Sequence, residues 1–315
     1  MSQKINNTSF SNTYIWGKGA ENQNSIPKII WSFWDSNTKS DLVELCIANF
    51  KRLAPDFEIN VLNTKNIKNY IPNISPLRKD LPFAHYTDLA RLELLYKYGG
   101  IWIDASTLLT ENLDWVYHLK NDFKCDLLGF YSDFCTTDIQ NPILETWFLA
   151  VPKNNKFISK WRDEFFMCYT SEEPSSFFKE IKENKNDLQN IGDMADYLTP
   201  YLAAISVKKK NKDFRIFMIS ANEVGHYFSF GSKSNYNQLA DIFLKKQRPQ
   251  YIPKLIKFTG KQRTYIDQQI SLGRYNLNSF LISLTNSKYF YKKYFNHKLN
   301  YITFIFNNLK NKYTK

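Results

Sequence analysis

Residues 83–106 read FAHYTDLARLELLYKYGGIWIDAS, and the organisation of the chain can be inferred outward from them. Apolar residues recur at helical spacing through the first part, which predicts a helix over 83–98. Two glycines, Gly99-Gly100, stop that helix. The next residues, Ile101-Trp102-Ile103, form a short apolar run that suits a central strand. The stretch therefore predicts a helix, a tight reversal and a buried strand that ends at Asp104.

The segments before this stretch read as strand, helix and strand. Residues from Ile26 to Trp34 are rich in β-branched and aromatic side chains, which favours a strand. Helical spacing follows from Asp41 to Arg52, and Phe57 to Leu62 alternates as a second strand. This order is typical of the start of a mononucleotide-binding α/β unit. We therefore expect an α/β fold with a Rossmann-like mixed sheet flanked by helices.

Three segments are expected along the chain. Residues 1–25 are polar and are predicted to form a loosely ordered leader. Residues 26–278 are predicted to form one domain, with further strands at 127–131 and 146–151. Its C-terminal region is mainly helical, with breaks at Pro174 and Pro200, and 255–263 reads as a strand that turns into a basic loop.

The basic tail, residues 279–315, combines lysines and aromatic residues without any Asp or Glu. It is predicted to be helical. Two interpretations remain open, a plain helical subdomain and an amphipathic contact with an anionic membrane surface. Because no recognised nucleic-acid motif accompanies these residues, no nucleic-acid partner is expected.

Composition limits the class of protein. The 315 residues are 43% hydrophobic and 17% aromatic, which is enough to bury an ordinary core and argues against disorder over most of the length. No stretch approaches the ~18 uninterrupted apolar residues of a membrane span, and the N-terminus lacks the apolar core of a signal peptide. Four cysteines without a Cys-x-x-Cys pair favour a reducing cytoplasm. The formal net charge of +12 indicates an anionic partner.

Three polar residues of the opening stretch are candidates for chemistry. Asp88 and Arg91 are three residues apart on the predicted helix, so both side chains can point the same way. Asp104 is expected at the carboxyl edge of the sheet, where open α/β sheets bind ligands. A carboxylate there can hold a divalent cation that bridges two phosphates. Ser106 projects to the same side of an extended segment, so Asp104 and Ser106 could share the metal shell.

The chain resembles DXD-type transferases with sugar-binding regions in two motifs, Tyr86-Thr87-Asp88-Leu89-Ala90-Arg91 and Tyr98-Gly99-Gly100-Ile101-Trp102-Ile103-Asp104. Its opening Ile26-Pro27-Lys28-Ile29-Ile30-Trp31 resembles the first strand of the same family. The best match is the bacterial capsular polysaccharide synthesis group, related to glycosyltransferase family 32 and more distantly to the clostridial glucosylating toxins. The resemblance covers Ile26 to Ala150 well. It implies a GT-A fold, a nucleotide-sugar donor that is usually uridine-linked, and Mn²⁺ or Mg²⁺.

The resemblance also implies roles for individual residues of the donor site. Trp34 would stack on the base, and Phe33 and Gly100 would also line the site. Asp88 and Arg91 would hold ribose, sugar hydroxyls or phosphate, and are expected to be catalytic residues.

The metal-binding part of the signature departs from the family. Asp104 would be a catalytic residue and the metal ligand, but the usual second aspartate is Ser106 here, which weakens the case for a metal. The segment around Lys257 resembles the C-terminal loop that closes over the diphosphate in related enzymes. Lys257, Lys261 and Arg263 could neutralise the leaving diphosphate directly, so the metal is expected to be only partly required.

The resemblance thus implies a hexosyltransferase that retains anomeric configuration. Its acceptor is expected to be a growing capsular or surface polysaccharide, a glycolipid or a lipid-linked oligosaccharide. The expected location is the bacterial cytoplasm, including the inner face of the membrane. Five acidic residues are candidates for acceptor contacts: Asp133, Asp138, Glu145, Asp193 and Asp196. The histidines lack ligand spacing and are interpreted as structural.

Two other classes of function stay open. A glycoside hydrolase needs two carboxylates that flank a glycosidic bond, and no such pair can be chosen from the sequence. A non-catalytic basic protein that binds a membrane or a polyanion on the same fold is favoured by Ser106, which replaces the second aspartate.

Overall fold

A computed structural model describes residues 2–5, 9–35, 40–231, 235–245, 248–285, 296, 299 and 302–310. The chain divides into two compact units. Unit 1 comprises Met1–Asp35, Asp56–Asp104 and Leu113–Glu223, and unit 2 comprises Ser36–Pro55, Ala105–Asn112 and Val224–Lys315. The segment 26–278, which the sequence presents as one domain, is therefore shared between the two units.

The strands are, in chain order, β1 (Ser2–Ile5), β2 (Thr13–Trp16), β3 (Ile29–Phe33), β4 (Glu58–Leu62), β5 (Gly100–Ile103), β6 (Thr107–Leu109), β7 (Leu127–Tyr131), β8 (Leu144–Val151), β9 (Ile216–Ser220) and β10 (Leu255–Lys257). The α-helices are α1 (Asp41–Leu53), α2 (Phe83–Tyr98), α3 (Asp114–Phe123), α4 (Lys156–Thr170), α5 (Lys179–Glu183), α6 (Lys185–Leu188), α7 (Thr199–Lys210), α8 (Tyr236–Ala240), α9 (Gly260–Ser271) and α10 (Phe280–Thr285). Residues 302–310 are also helical.

Unit 1 is built on an eight-stranded sheet, as far as the described residues go, with the order β1-β2-β9-β7-β8-β5-β3-β4. Strand β3 is parallel to β4 and β5, while β8 is antiparallel to β5 and β7. The sheet is therefore mixed. Trp102 and Phe148 point to opposite faces of it, since Phe148 is paired with Ile103. Arg91 of α2 lies over Trp102 and Trp115 of α3 stacks on Phe148. Helices thus cover both faces, which confirms the predicted architecture.

The N-terminal residues differ from the prediction. The segment expected to be a loose leader supplies β1 and β2, and β2 pairs antiparallel with β9. Trp16 at the end of β2 is fully buried. These strands are only four residues long and partly polar, so their strand character depends on the pairing of β1 with β2 and of β2 with β9, a strand that was not predicted from the sequence.

The helix–strand junction of the opening stretch forms as predicted. Helix α2 has the predicted bounds, and Gly99 and Gly100 follow with positive φ values of 69° and 98°. A Cβ at Gly99 would lie 2.5 Å from the backbone nitrogen of Lys153, and one at Gly100 would lie 2.6 Å from the carbonyl oxygen of Ile29. Both positions therefore require glycine on conformational and steric grounds.

Unit 2 contains the antiparallel pair β6–β10 and a set of helices. Helix α1 packs against β6, α9 and α10, so the helix expected to complete a mononucleotide-binding motif with β3 and β4 belongs to this unit instead. The core of unit 2 is formed by buried side chains that include Phe243, Phe258 and Ile266. The mainly helical character of the C-terminal region is confirmed over the described residues.

Two local predictions were wrong. Pro200 does not break a helix but lies in the first turn of α7, where a missing backbone N–H costs nothing. The expected basic loop after β10 is the helix α9. It begins with a capping box, in which the Thr259 side chain accepts from the backbone of Gln262 and the Gln262 side chain accepts from the backbone of Thr259.

All four cysteines are buried free thiols, in agreement with the absence of a disulfide framework. Among the described residues, no helix combines the length and the apolar character that crossing a lipid bilayer requires.

Candidate active site

Unit 1 brings Asp88, Arg91 and Asp104 together. The Nη1 of Arg91 donates to Oδ1 of Asp88, and its Nη2 donates to Oδ1 of Asp104 at 3.1 Å. Trp102 donates its indole N–H to the same Asp104 oxygen at 2.9 Å, and the Arg91 guanidinium lies 4.6 Å from the centroid of the Trp102 ring. We refer to Asp88, Arg91, Trp102 and Asp104 as the Arg91 cluster.

Local structure explains this convergence. Asp88 and Arg91 lie on one face of α2, three residues apart. The glycine pair returns the chain into β5, and Asp104 follows the last residue of that strand. The backbone N–H of Asp104 donates to the carbonyl oxygen of Trp147 at 2.9 Å, which fixes the end of β5. The geometry expected from the sequence is therefore present within unit 1.

The three charged groups of the cluster differ in how far they are buried. The side chains of Arg91 and Asp88 are only 5% and 9% exposed, whereas that of Asp104 is 26% exposed. Burial raises the pKa of Asp88 above its ordinary value, and the positive charge of Arg91 opposes this shift. Asp104 is consequently the member most accessible to a ligand. Arg91, which is itself bonded to Asp88, donates a hydrogen bond to its carboxylate.

Trp34 follows β3 at the carboxyl edge of the sheet. Strand β3 is the parallel neighbour of β5, so both strands end at the same edge of the sheet. Trp34 follows β3 there, as Asp104 follows β5. Its backbone N–H donates to the carbonyl oxygen of Leu62 at 2.8 Å and its side chain is half-buried. Phe33, by contrast, is a buried core residue whose ring packs against Tyr86. Gly100 lies against the backbone of β3, so the structure explains this glycine by strand packing.

Unit 2 brings Ser106 and Lys257 together. The Nζ of Lys257 donates to Oγ of Ser106 at 2.8 Å, and Ser106 Oγ donates to the carbonyl oxygen of Phe258 at 3.1 Å. Ser106 is buried and Lys257 is half-buried. Lys261 is exposed in the first turn of α9. We refer to Ser106 and Lys257 as the Lys257 pair.

These residues do not fit the predicted metal shell of Asp104 and Ser106. Oδ1 of Asp104 accepts from two N–H groups, and Ser106 already accepts from an ammonium, whose charge opposes a second cation at that oxygen. Within the described part of the chain, no group of three or more His, Cys, Asp or Glu is placed to hold a metal ion. The charge of Lys257 therefore disfavours metal ligation by the Ser106 hydroxyl.

Sequence reasoning missed two residues near the cluster. Trp102 was assigned only to the apolar run of the predicted central strand, although a Trp two positions before a strand-end Asp projects to the same side. His85 precedes Asp88 by three residues on α2, and its Nε2 lies 3.0 Å from the carbonyl oxygen of Tyr197. The charge of His85 also acts on the Asp88 carboxylate. Both spacings could have been read from the sequence.

Most of the carboxylates considered for acceptor contacts have structural partners. Asp133 accepts from the hydroxyl of Ser220 and the backbone N–H of Asn222, and Asp196 forms an ion pair with Lys182. Asp138 accepts from the backbone N–H of Gln140 and from the side-chain amide of Asn141. Asp193 is exposed. Glu145 is buried.

Known glycosyltransferases match part of the chain. O-glycosyltransferase braB of Annulohypoxylon truncatum is 28% identical in an alignment 160 positions long, which covers 44% of this chain and 37% of that relative. Glycosyltransferase afumC of Aspergillus fumigatus is 32% identical in an alignment 101 positions long, which covers 27% of this chain and 26% of that relative. The chain therefore matches only 26–37% of the length of these relatives.

Among solved structures, the galactosyltransferase LgtC in complex with donor and acceptor sugar analogues is similar with a TM-score of 0.38 and 12% identity, covering 76% of this chain and 95% of that one. The family model described as capsular polysaccharide synthesis protein matches residues 2–178. Since that match spans more than half of the sequence, the chain belongs to the capsular polysaccharide synthesis protein family.

Proposed function

We propose that the protein is a glycosyltransferase of GT-A architecture. It moves a sugar from a nucleotide-sugar donor, UDP-linked, to a growing capsular or surface polysaccharide or glycolipid, with retention of anomeric configuration. The observation that carries this proposal is the convergence of Asp88, Arg91 and Asp104 at the carboxyl end of β5. Membership of the capsular polysaccharide synthesis family and the glycosyltransferase names of the matching relatives support it.

The reaction sets the demands on the residues of unit 1. The bond from the anomeric carbon to the phosphate oxygen breaks, a bond from the acceptor oxygen forms on the same face, and the acceptor proton goes to the departing phosphate oxygen. Asp104, as the most exposed carboxylate of the Arg91 cluster, binds hydroxyl groups of the donor. Arg91 and Trp102 fix its Oδ1, and Asp88 fixes Arg91, so the carboxylate is preorganised before the donor arrives.

For unit 2 we propose that the Lys257 pair binds a phosphate group. The Nζ of Lys257 donates to the oxygens of Ser106 and Phe258, and its positive charge can bind an anion. Lys261 adds a second charge in the first turn of α9, where backbone N–H groups also favour anions. Positive charge at a leaving phosphate lowers the barrier of the transfer. Lys257 and Lys261 thereby keep the role of neutralising the diphosphate that the sequence analysis gave them.

Donor hydrolysis tests the proposed activity, because water can replace the acceptor and release free sugar and nucleotide diphosphate. A panel of uridine- and guanosine-linked sugars is incubated with the protein, and released nucleotide is measured. We expect one donor to be consumed, and Asp104→Asn to reduce the rate at least about 100-fold. The control is Asp56→Asn, which removes an exposed carboxylate 3.9 Å from Lys28. Turnover of no donor, or equal rates in both variants, would contradict the proposal.

We also propose that the protein works at the inner face of the bacterial cytoplasmic membrane. In the described helix 302–310, Ile302, Phe306 and Leu309 are exposed, and the tail carries lysines without acidic residues. Most of the tail, 286–295, 297–298, 300–301 and 311–315, lies outside the described residues. Sedimentation with vesicles of phosphatidylglycerol should exceed that with phosphatidylcholine, and Phe306→Ser should lower it. Equal recovery on both vesicles would refute membrane contact.

A further inference from the structure

A buried hydrogen bond joins Glu145 and Tyr201 in unit 1. The hydroxyl of Tyr201, on α7, donates to Oε2 of Glu145 at the start of β8. Both residues are buried, with 6% and 7% of their surfaces exposed. A carboxylate and a phenol withdrawn from water to this extent are costly unless they bond each other, so the contact is held in one geometry.

The strand that carries Glu145 also holds Asp104. Gly129 of β7 pairs with Leu149 of β8, whereas Tyr131 pairs with Leu144, so the pairing is irregular across residues 145–148. Within this irregular stretch, the carbonyl oxygen of Trp147 accepts the backbone N–H of Asp104. Such irregularities re-aim side chains and recur beside active sites. Because pairing with β7 is interrupted here, the Trp147 carbonyl is supported on that side by other anchors of the stretch, while regular pairing with β5 continues to Ile103 and Phe148.

Tyr201 also lies close to the helix that carries the Arg91 cluster. Helix α7 packs against α2 and against β8. Burial raises the pKa of Tyr201 first, and the charges of Glu145, Cys135 and Asp88 raise it further. Tyr201 is therefore within electrostatic reach of Asp88, a member of the Arg91 cluster, as well as of Glu145 on β8.

We propose that Tyr201 and Glu145 are positioning residues for Asp104. Their hydrogen bond anchors the irregular stretch of β8, and the Trp147 carbonyl in that stretch fixes the backbone of Asp104. The side chain of Asp104 is thereby presented in the orientation that Arg91 and Trp102 bind. This inference rests on the proposed function for its consequence in donor binding, but its structural claim can be tested separately.

A second hydroxyl–carboxylate bond in unit 1 supplies a matched control. Ser206, also on α7, donates its Oγ to Oε2 of Glu164 on α4 at 2.9 Å. That bond joins α7 to a helix rather than to β8, so it has no path to Asp104 through Trp147. Removing either hydroxyl deletes one hydrogen bond made by α7. Only the loss of the Tyr201 hydroxyl should affect the backbone of Asp104.

The structural claim is tested by hydrogen exchange at the backbone amide of Asp104. In Tyr201→Phe we expect this amide to exchange about fivefold to tenfold faster, the effect of losing about one hydrogen bond of support. Ser206→Ala should leave its exchange unchanged. Glu145→Gln should stay close to the wild type, because the amide oxygen still accepts from Tyr201, while Glu145→Ala should behave like Tyr201→Phe. Unchanged exchange in Tyr201→Phe, or the same acceleration in Ser206→Ala, would overturn the proposal.

The functional consequence is tested by the affinity for UDP, measured by calorimetry on the same variants. Tyr201→Phe should weaken binding about tenfold and Ser206→Ala should not, while Glu145→Gln should keep the wild-type affinity. If the wild type binds no nucleotide, the proposed function fails and the exchange result alone decides the positioning role. If exchange responds as expected but affinity does not, the link from Tyr201 to donor binding is refuted.

Discussion

The two units hold their positive charges in opposite ways. In unit 1 the guanidinium of Arg91 is buried and bonded to two carboxylates and packed on an aromatic ring. In unit 2 the ammonium of Lys257 is half-buried and donates to the oxygens of Ser106 and Phe258. The first charge is committed to positioning a carboxylate, and the second remains suited to binding an anion. Removing the charge of Arg91 should therefore lower the free energy of unfolding, and removing the charge of Lys257 should weaken anion binding.

Removing the buried guanidinium should have the largest effect. Arg91→Met leaves Asp88 and Asp104 without their shared cation, so we expect the free energy of unfolding to fall by about 3–5 kcal/mol in urea titrations. The control is Arg162→Met. Arg162 also lies over an aromatic ring, 4.1 Å from that of Tyr96, but its ion pairs are more exposed. Its loss should cost only about 1 kcal/mol or less. Equal losses would contradict the special status of the Arg91 cluster.

Unit 1 contains a second buried basic side chain, Lys208, which donates to a carbonyl oxygen. Its burial can be tested through the pH dependence of the free energy of unfolding. Its Nζ donates to Pro142 at 2.7 Å, and burial lowers the pKa of Lys208 from 10.5 to about 7. Between these values the unfolded chain binds a proton that the folded chain has released. The free energy of unfolding should therefore rise with pH, by at most about 1.4 kcal/mol per pH unit.

Lys208→Met should remove this rise from urea titrations at pH 7, 8 and 9. Lys210→Met, which changes an exposed lysine on the same helix, should keep it. The assignment to Lys208 would be wrong if both variants followed the wild-type pH dependence.

The half-buried ammonium of unit 2 should affect ligand binding more than stability. Lys257→Met should weaken the affinity for UDP about tenfold, since a charge-assisted hydrogen bond is lost. Lys254→Met, which removes a lysine paired with Glu111, serves as the control and should leave the affinity unchanged. Isothermal titration calorimetry measures both, and an unchanged affinity in Lys257→Met would refute the phosphate role of the Lys257 pair.

The smallest expected effect concerns the helix that follows Lys257. Thr259→Ala removes the side-chain acceptor of the capping box of α9, so the free energy of unfolding should fall by about 1 kcal/mol. Thr264→Ala, on the exposed side of the same helix, should change it by about 0.5 kcal/mol or less. No loss in Thr259→Ala would mean that the segment behaves as the basic loop that the sequence analysis expected.

The Arg91 cluster could be predicted because it depends on local rules. Helical spacing puts Asp88 and Arg91 on one face, and the glycine pair forces the reversal that returns the chain to Asp104. The capping box at Thr259 and Gln262 is also a local signature, and reading it would have replaced the basic loop by a helix.

The remaining features depend on contacts between distant residues. Tyr201 and Glu145 are 56 residues apart, and neither has a motif that marks the other. Strand β2 is four residues long and is stabilised by pairing with β9, some two hundred residues later in the chain. Ser106 is followed in sequence by a strand, but its lysine partner lies 151 residues away. Such pairs become visible only when the sheet order is known.

The most direct test of the account is the thermal stability of the wild type and of Asp104→Asn in the presence of UDP, GDP and other nucleotide diphosphates, with and without Mn²⁺. The account predicts that one nucleotide raises the unfolding temperature of the wild type and fails to raise that of Asp104→Asn. An equal rise in both proteins, or no rise with any nucleotide, would contradict the placement of a donor site at the Arg91 cluster.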